Sequence, residues 1–321
     1  MQRPHVVLVG AGASRAALPN GDANGRFLPL MKDLISLLDL EELLRPTRIP
    51  YRERNFEDVY ADIHHNNKLT EVREKIETRI YDYFDCLVLP NHPTIYDYLV
   101  LCLRDKDIIA TFNWDPFLVQ ACRRNRWIGS LPTLLFLHGN VKIACCINDK
   151  VVGLKGSCCS KCGQRLEPTR LLYPVTEKKY ETDPMLSAQW EYLRDDMSSA
   201  FMFTIFGYSA PRSDVEAIAL LKEGWGSPEQ RSMEETEIID IKDENELVTV
   251  WNSFIHSHHY SVSTDFFKSA LARHPRRTGE MYMAQIINGL CAEGNPVPKD
   301  ASFSELKVWF QQLRDAEITR G

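Results

Sequence analysis

The stretch His5-Val-Val-Leu-Val-Gly10-Ala-Gly12-Ala-Ser14 decides the fold class of this 321-residue chain. Its apolar run predicts a buried strand, its glycines predict a tight turn, and a helix is expected to start near Ser14. Small residues in such a turn let main-chain amides approach a pyrophosphate at the positive end of the helix. Arg15 stands where the usual G-x-G-x-x-G motif has its third glycine. A tight strand-to-helix turn without a ligand is the alternative interpretation.

Four further runs are short, apolar and bounded by turn residues, as expected of parallel strands that are buried on both faces. The five predicted strands are residues 5–9, 108–112, 134–137, 201–206 and 237–241. A small or polar residue follows each run or lies near its end: Gly10, Asn113, His138, Gly207 and Asp240. Ligands of open α/β sheets bind outside the carboxyl ends of the strands. We therefore expect these five residues to line one crevice.

The segments between the predicted strands are mostly helical in pattern, which indicates an α/β fold. Residues 27–105 are far longer than one crossover needs, so they are predicted to form a helical insertion that covers the sheet. A cysteine module follows at about 141–175, and helices are expected at 265–272, 280–291 and 303–315. The prediction is a Rossmann-like parallel sheet with helices on both faces, these two insertions and a C-terminal helical tail. We place the sheet domain at 1–260 and the tail at 261–321.

Polar side chains follow two of the predicted strands. Asn113 and Asp115 come after residues 108–112, and Pro116 suits the first position of a new helix. Asp115 is either an ordinary helix N-cap or a ligand for a ribose, and the two roles are compatible. The amide of Asn113 needs partners and could hold a ribose hydroxyl or a water. His138 is either a structural histidine or a group that moves protons, since imidazole titrates near neutral pH.

A second glycine turn, Phe206-Gly207-Tyr208-Ser209-Ala210-Pro211, follows the fourth predicted strand. Gly207 and Ser209 are candidates to face a phosphate or a ribose. Asp240 lies where such folds often place a carboxylate on the adenosine ribose, and a plain surface carboxylate is the alternative. These strand ends add to the predicted crevice.

Five of the nine cysteines fall within residues 145–162, and clustered cysteines in a reducing compartment more often bind metal than form disulfides. Cys159 and Cys162 have the spacing in which two thiolates from one turn take half of a tetrahedral zinc site. Cys145 or Cys146 would supply a third ligand. The fourth would come from Asp149, Cys145 or Cys158. We expect a structural zinc, with a degenerate finger of free thiols as the alternative, and no catalytic zinc.

Composition excludes several classes of protein. A net charge of −6 gives no electrostatic reason to expect direct nucleic-acid binding, which needs a basic face. The dense basic run at 274–277 is either a solvated helix end or a docking surface. No apolar run approaches the roughly 20 residues that span a bilayer, and no secretory segment is evident. We expect a cytoplasmic protein without membrane association.

Taken in order, these motifs resemble those of the Sir2 (sirtuin-like) superfamily. They are GAGAS at 10–14, TFNWD at 111–115, LHGN at 137–140, the cysteine module, FGYSAP at 206–211 and IIDIKD at 238–243. The resemblance covers about residues 5–250 and implies NAD as the bound substrate. Carried over by position, it assigns the pyrophosphate to Gly10, Ala11, Gly12, Ala13 and Ser14, the nicotinamide ribose to Asn113 and Asp115, and the adenosine half to Gly207, Ser209 and Asp240. It makes His138 the catalytic base.

Two segments depart from the protein deacylases of that superfamily. Those enzymes carry a serine-rich G-I-P-x-F-R segment after the glycine turn, where this chain reads Arg15-Ala-Ala-Leu-Pro19. They carry F-G-E after the zinc module, where this chain reads Leu172-Tyr-Pro174. With the peptide channel missing, the chain is more similar to the prokaryotic Sir2-like proteins of anti-phage defence systems, which hydrolyse NAD to nicotinamide and ADP-ribose. His138 and a water positioned by Asn113 would then be the catalytic groups.

The resemblance also implies that the activity is controlled, because an NADase active at all times would be toxic to its host. Control would come from a homo-oligomer or from a co-encoded partner such as a HerA-type ATPase or an Argonaute. Protein deacylation or ADP-ribosyl transfer is the alternative within the enzymes. A non-catalytic module that senses NAD or ADP-ribose is the alternative from another class.

Overall fold

The computed structural model describes residues 3–175, 180, 183–211, 214–289 and 294–320. Its strands, in chain order, are β1 (His5–Val9), β2 (Ile108–Thr111), β3 (Thr133–Phe136), β4 (Ile143–Cys146), β5 (Val151–Leu154), β6 (Glu167–Pro168), β7 (Met202–Phe206), β8 (Glu235–Ile239) and β9 (Tyr260–Ser263). Six of them form one parallel sheet in the order β3-β2-β1-β7-β8-β9. The predicted Rossmann-like α/β class is confirmed.

The strand order reverses direction between β1 and β7. The chain first builds outward from β1 through β2 to β3, and then returns to the other side of β1 to build β7, β8 and β9. Val9 is paired with Thr111 on one side and with Phe206 on the other, so these three strands end level with one another. A sheet of this order has its natural ligand crevice at the reversal, outside the carboxyl ends of the strands. Gly10 and Gly207 immediately follow the two strands that flank it.

Alternate residues of β1 serve two separate hydrophobic cores. Val7 and Val9 belong to the core beneath the insertion and the C-terminal helices. Val6 and Leu8 belong to the core on the opposite face. Because side chains alternate along a strand, a strand that is apolar at every position needs helices on both of its faces.

The helices surround the sheet on those two faces. They are α1 (Ala11–Ala17), α2 (Leu34–Leu37), α3 (Glu41–Leu44), α4 (Phe56–His64), α5 (Thr70–Asp85), α6 (Ile95–Leu101), α7 (Phe117–Arg124), α8 (Pro184–Ser199), α9 (Val215–Trp225), α10 (Glu244–Trp251), α11 (Ala270–Arg273), α12 (Thr278–Asn288) and α13 (Phe303–Arg320). Helices α2 to α6 occupy the segment predicted to be a helical insertion. None of the described helices is long and apolar enough to cross a membrane.

The cysteine module is a small separate sheet. Strands β4, β5 and β6 pair antiparallel in the order β5-β4-β6, and Cys146 is paired with Val151. The small hydrophobic core of this sheet consists of Ala144, Cys146, Cys159 and Leu166. The module thus has little apolar interior of its own, as expected of a unit that a metal would stabilise.

Several boundaries differ from the predictions. Strand β9 was not predicted, because it is short and half buried and carries two serines, yet it pairs with β8 and extends the sheet across the predicted boundary at residue 260. Helix α1 begins at Ala11 rather than near Ser14. The strand predicted at 237–241 spans 235–239, with the charged Glu235 half buried and Glu237 buried, and Asp240 lies just beyond its end.

The C-terminal segment packs as part of the same molecule. Leu306 and Phe310 of α13 share one hydrophobic core with Val7 and Val9 of the central strand. Helix α12 overlaps the predicted range 280–291 but begins two residues earlier, and the end of that range falls outside the described residues. The predicted tail is therefore helical, and it covers one face of the sheet.

Candidate functional site

The residues predicted to line one crevice all lie at the carboxyl edge of the sheet. Thr111 of β2 is paired with Phe136 of β3, so Asn113 and His138 each lie two residues beyond the ends of neighbouring strands. Phe206 of β7 is likewise paired with Ile239 of β8, so Gly207 and Asp240 leave their strands side by side. The parallel sheet therefore brings these residues to a common edge.

The two glycine turns contact each other through their main chains. The N–H of Gly12 donates to the carbonyl oxygen of Gly207 at 2.9 Å, and the N–H of Gly10 donates to that of Phe206 at the same distance. Gly207 has a φ of 61°, and a Cβ there would lie 2.2 Å from the nitrogen of Ala13. Glycine is required at Gly207 by this close approach, which is a structural reason independent of any ligand.

Ser14 is the centre of a buried polar cluster behind the first turn. Its hydroxyl donates to Asp115 Oδ2 at 2.6 Å and accepts from Asn113 Nδ2 at 2.8 Å. The hydroxyl of Tyr96, 2.5 Å away, supplies the remaining hydrogen bond to the serine oxygen. Asn113 Nδ2 also donates to the carbonyl oxygen of Gly10 at 2.9 Å. The cluster ties the glycine turn to the end of β2.

The side-chain oxygen of Asn113 has no hydrogen-bond partner within the described part of the chain. The amide nitrogen of the same residue makes three hydrogen bonds, to Gly10, Ser14 and Tyr96. These bonds fix the orientation of the amide, and they leave the oxygen as the atom that is available to a ribose hydroxyl or a water.

Asp115 serves both the cluster and the following helix. Its Oδ1 accepts from the N–H of Phe117, the first residue of α7, at 3.2 Å, although the N-cap position is occupied by Pro116 and not by Asp115 as predicted. Burial raises the pKa of Asp115 to about 6, and the hydrogen bond from Ser14 opposes that rise. Asn140 donates from Nδ2 to the main-chain oxygen of Asp115 at 2.7 Å and so joins the ends of β2 and β3.

His138 lies in a second polar group, among aromatic rings. Its Nε2 is 2.8 Å from the hydroxyl oxygen of Tyr180 and 4.0 Å from Asp214 Oδ1. The hydroxyl of Tyr208 donates to the other oxygen of Asp214 at 2.8 Å. The ring of Phe112 lies 4.6 Å from that of His138 and stacks on Tyr208 at 4.4 Å. The imidazole is buried, with its ring nitrogen facing a phenol and a carboxylate.

Five of the predicted ligand residues are open to solvent in part or in full. Ser209 is exposed, and Gly207 and Asp240 are partly exposed. Asp240 Oδ1 accepts from the N–H of Lys242 at 3.1 Å. In the first turn, Ala11 and Gly12 are exposed, whereas Gly10, Ala13 and Ser14 are buried. A ligand can therefore reach the outer residues of both turns from solvent.

Three cysteines and one carboxylate of the module converge on a point. One potential ligand atom from each of Cys146, Asp149, Cys159 and Cys162 lies within 4.8 Å of the others. The Sγ atoms of Cys146 and Cys162 are 3.7 Å apart, and Asp149 Oδ2 lies 3.1 Å from the Sγ of Cys159. Two sulfurs bound at about 2.3 Å to one tetrahedral ion are about 3.8 Å apart. The donor set and its spacing fit a zinc ion.

Cys145 lies outside this cluster, although it was one of the four ligands predicted. Successive side chains of a strand point to opposite faces, so Cys146 faces the cluster and its neighbour Cys145 faces away. Cys158 is exposed and is also outside the cluster. Asp149, which the sequence left as one of several alternatives, occupies the fourth position.

No family model matches the sequence, and no curated protein sequence matches it. Solved structures that are similar to the chain include Sir2 proteins. A Sir2 structure with the inhibitor EX-527, 2′-O-acetyl-ADP-ribose and a deacetylated p53 peptide is 15% identical, with a TM-score of 0.39, over 89% of this chain and 94% of that one. A second Sir2 enzyme is 13% identical, with a TM-score of 0.41, over 98% and 94%. A Sir2 homologue bound to NAD is 12% identical, with a TM-score of 0.33, over 88% and 86%.

Sequence reasoning missed four side chains that complete the two polar groups. Tyr96 belongs to the insertion and contacts Ser14, whereas Tyr180, Tyr208 and Asp214 surround His138. Buried tyrosines usually direct their hydroxyl to a partner, which is a weak signal that a tyrosine lies near polar groups. Which group each tyrosine meets depends on contacts far apart in sequence.

Proposed function

We propose that the chain is an NAD-consuming enzyme of the Sir2 type and that it hydrolyses NAD to nicotinamide and ADP-ribose. The observation that carries the proposal is the carboxyl edge of the sheet, where Asn113 and His138 follow neighbouring strands beside the reversal of strand order. The motif order in the sequence supports the same assignment, and the departures from the deacylase motifs favour water as the acceptor.

In the proposed complex, NAD lies across the two glycine turns. The pyrophosphate would lie at Gly10, Ala11, Gly12, Ala13 and Ser14. The adenosine half would lie toward Gly207, Ser209 and Asp240, which are at least partly open to solvent. Because the N–H of Gly12 already donates to Gly207, a phosphate that used it would have to replace that carbonyl oxygen.

The chemistry requires cleavage of the bond between nicotinamide and ribose. Asn113 would hold the nicotinamide ribose or the attacking water through its side-chain oxygen, with Asp115 beside it. His138 would take the proton from the water as the water adds to the cationic sugar carbon and nicotinamide leaves with the bonding electron pair. The rate gain would come from positioning and from fixed dipoles around the developing positive charge.

Zinc has no part in these steps. Cys146, Asp149, Cys159 and Cys162 would hold a structural ion, which supplies cross-links between the strands of a module with little core of its own. The module packs beside the sheet, so it would support the shape of the site rather than its reaction.

The same geometry supports a second candidate, a module that binds NAD or ADP-ribose without turning it over. It is favoured by the burial of Ser14, Asn113 and His138, whose polar atoms are largely satisfied by other protein groups. Thermal stabilisation by NAD, with no product formed, would support this candidate. Release of acetyl-ADP-ribose from an acetylated peptide would instead indicate a deacylase.

We propose a cytoplasmic anti-phage defence effector that acts as a homo-oligomer or under a co-encoded HerA-type ATPase or Argonaute. The support is the resemblance of the motifs to that branch of the superfamily. None of the eight described cysteines forms a disulfide, which suits a reducing compartment.

The test is nicotinamide release from NAD by the purified protein, with and without any co-encoded partner. His138→Ala and Asn113→Ala should each abolish release while the protein stays folded. His258→Ala is the matched control, because His258 is exposed and distant in sequence from every site residue. Full activity in either site variant removes the assignment of that residue.

A further inference from the structure

Among the described residues around His138, one carboxylate has no role in the proposed reaction. Asp214 lies directly before α9, is buried, and faces His138 Nε2 across 4.0 Å. Its side chain makes no capping hydrogen bond to the helix that it precedes. The ordinary structural reason for an aspartate at this position therefore does not account for its burial.

Tyr208 holds that carboxylate in place. Its hydroxyl donates to Asp214 Oδ2 at 2.8 Å, which leaves Oδ1 directed toward the imidazole. The ring of Tyr208 is itself stacked on Phe112, the residue whose ring lies against His138. Tyrosine, aspartate and histidine thus form one connected group in which each member is fixed by its neighbour.

Tyr180 completes the group from the other side. Its ring lies nearly parallel to the imidazole of His138, with an interplanar angle of 15°, and its hydroxyl oxygen is 2.8 Å from Nε2. Burial, followed by the charges of Asp214 and Glu216, raises the pKa of Tyr180, so its phenol stays neutral. It can donate to a neutral imidazole or accept from a protonated one.

We propose that Asp214 is a positioning residue for His138, whose protonated form it stabilises after the histidine takes a proton from the attacking water. This inference rests on the proposed hydrolase function. Opposite charges about 4 Å apart in a buried setting favour the charged form of each group. The proton moves from water to His138 and stays there, while the hydrogen bond from Tyr208 anchors Asp214.

Among the described residues, the other groups near His138 do not replace this carboxylate. Tyr180, from the segment before α8, and Tyr208, from the loop after β7, present neutral phenols. Glu216, in the first turn of α9, also raises the pKa of Tyr180, but its contribution ranks below that of Asp214. Phe112 and Trp190 contribute apolar rings to the same cluster. Asp214 is the carboxylate that the described contacts place at the imidazole.

The first test does not depend on activity. In protein labelled at the histidine ring carbons, the NMR titration of His138 is identified as the signal missing from His138→Ala. In Asp214→Asn, the pKa of His138 should fall by about one unit or more. The exposed Asp195→Asn on α8 should leave it unchanged. Tyr208→Phe keeps the ring on Phe112 and should cause a smaller fall.

The second test uses nicotinamide release. In Asp214→Asn, the acidic limb of the kcat profile should move to lower pH by the same amount, and kcat at neutral pH should fall about tenfold, while KM for NAD stays nearly constant. An unchanged His138 titration overturns the inference, as does a shifted titration with unchanged kcat. A wild type that releases no nicotinamide under any condition overturns the hydrolase function, and the titration still decides whether Asp214 pairs with His138.

Discussion

The main-chain N–H of Gly12 donates to the carbonyl oxygen of Gly207 at 2.9 Å, which joins the two glycine turns on either side of the strand reversal. Residues 195 positions apart in the sequence therefore form one continuous main-chain surface at the carboxyl edge of the sheet. No side chain separates the two turns. Their glycines therefore contribute to the stability of the fold, whether or not they also contact a ligand.

Replacing Gly207 by alanine should lower the free energy of unfolding by at least about 3 kcal/mol. The added Cβ would lie 2.2 Å from the nitrogen of Ala13, and φ is 61°. Gly25→Ala is the control, since Gly25 has a φ of 75° and open space around it, so only the conformational cost of about 1 kcal/mol applies. Urea unfolding midpoints measure both. Equal losses would show that the close contact with Ala13 costs nothing.

Removing the hydroxyl of Ser14 should change the pH dependence of stability through Asp115. Burial raises the pKa of Asp115 to about 6, and Ser14 opposes that rise, so Ser14→Ala should raise it further. A carboxyl whose pKa is higher in the folded state loses stability as pH rises from its unfolded value of 3.8 to its folded value. In Ser14→Ala, the free energy of unfolding should therefore continue to fall beyond pH 6. Unfolding measured from pH 4 to 8 tests this, with the exposed Ser36→Ala expected to follow the wild type.

Glu237 should make the protein less stable as pH rises toward neutrality. Burial raises its pKa from 4.5 to about 7, against the hydrogen bonds from Ala270 and Thr204. The folded state holds this proton after the unfolded state has lost it, so stability falls between pH 4.5 and 7, by up to about 3 kcal/mol. Glu237→Gln should remove the contribution of Glu237 to that slope and leave the contribution of Asp115, whose folded pKa is about 6. The exposed Glu191→Gln should retain the full slope, and a slope in Glu237→Gln as steep as that of the wild type would contradict the assignment.

Zinc content should distinguish two adjacent cysteines. Cys146→Ala removes a ligand and should lower bound zinc well below one ion per chain, whereas Cys145→Ala should leave it at one. Metal analysis of the purified proteins gives the stoichiometry. A strong chelator should lower the melting temperature of the wild type and of Cys145→Ala, but not that of Cys146→Ala. Loss of zinc in both variants would indicate that Cys145 is also a ligand.

Much of the sheet could be predicted because buried parallel strands carry their own signal. Residues 6–9 and 108–110 are apolar at every position, and only a strand with helices on both faces needs that pattern. Strand β9 is an edge strand whose residues are all half buried, so burial does not require its serines to be apolar. It therefore lacked the continuous apolar pattern. The strand-end residues Asn113 and His138 were predictable for a related reason, since parallel strands bring their carboxyl ends to one edge.

The sequence by itself determined the class of the sheet, the edge at which chemistry can occur, and the region of the metal cluster, because periodicity and short spacings act locally. Only the tertiary structure decided that Cys146 rather than Cys145 faces the cluster, since adjacent residues of β4 lie on opposite faces and the sequence does not show which face meets the cluster. It likewise decided that Asp214 and Tyr180 meet at His138. Such contacts arise when distant segments pack on a common core, and no local pattern encodes which side chains will then be neighbours.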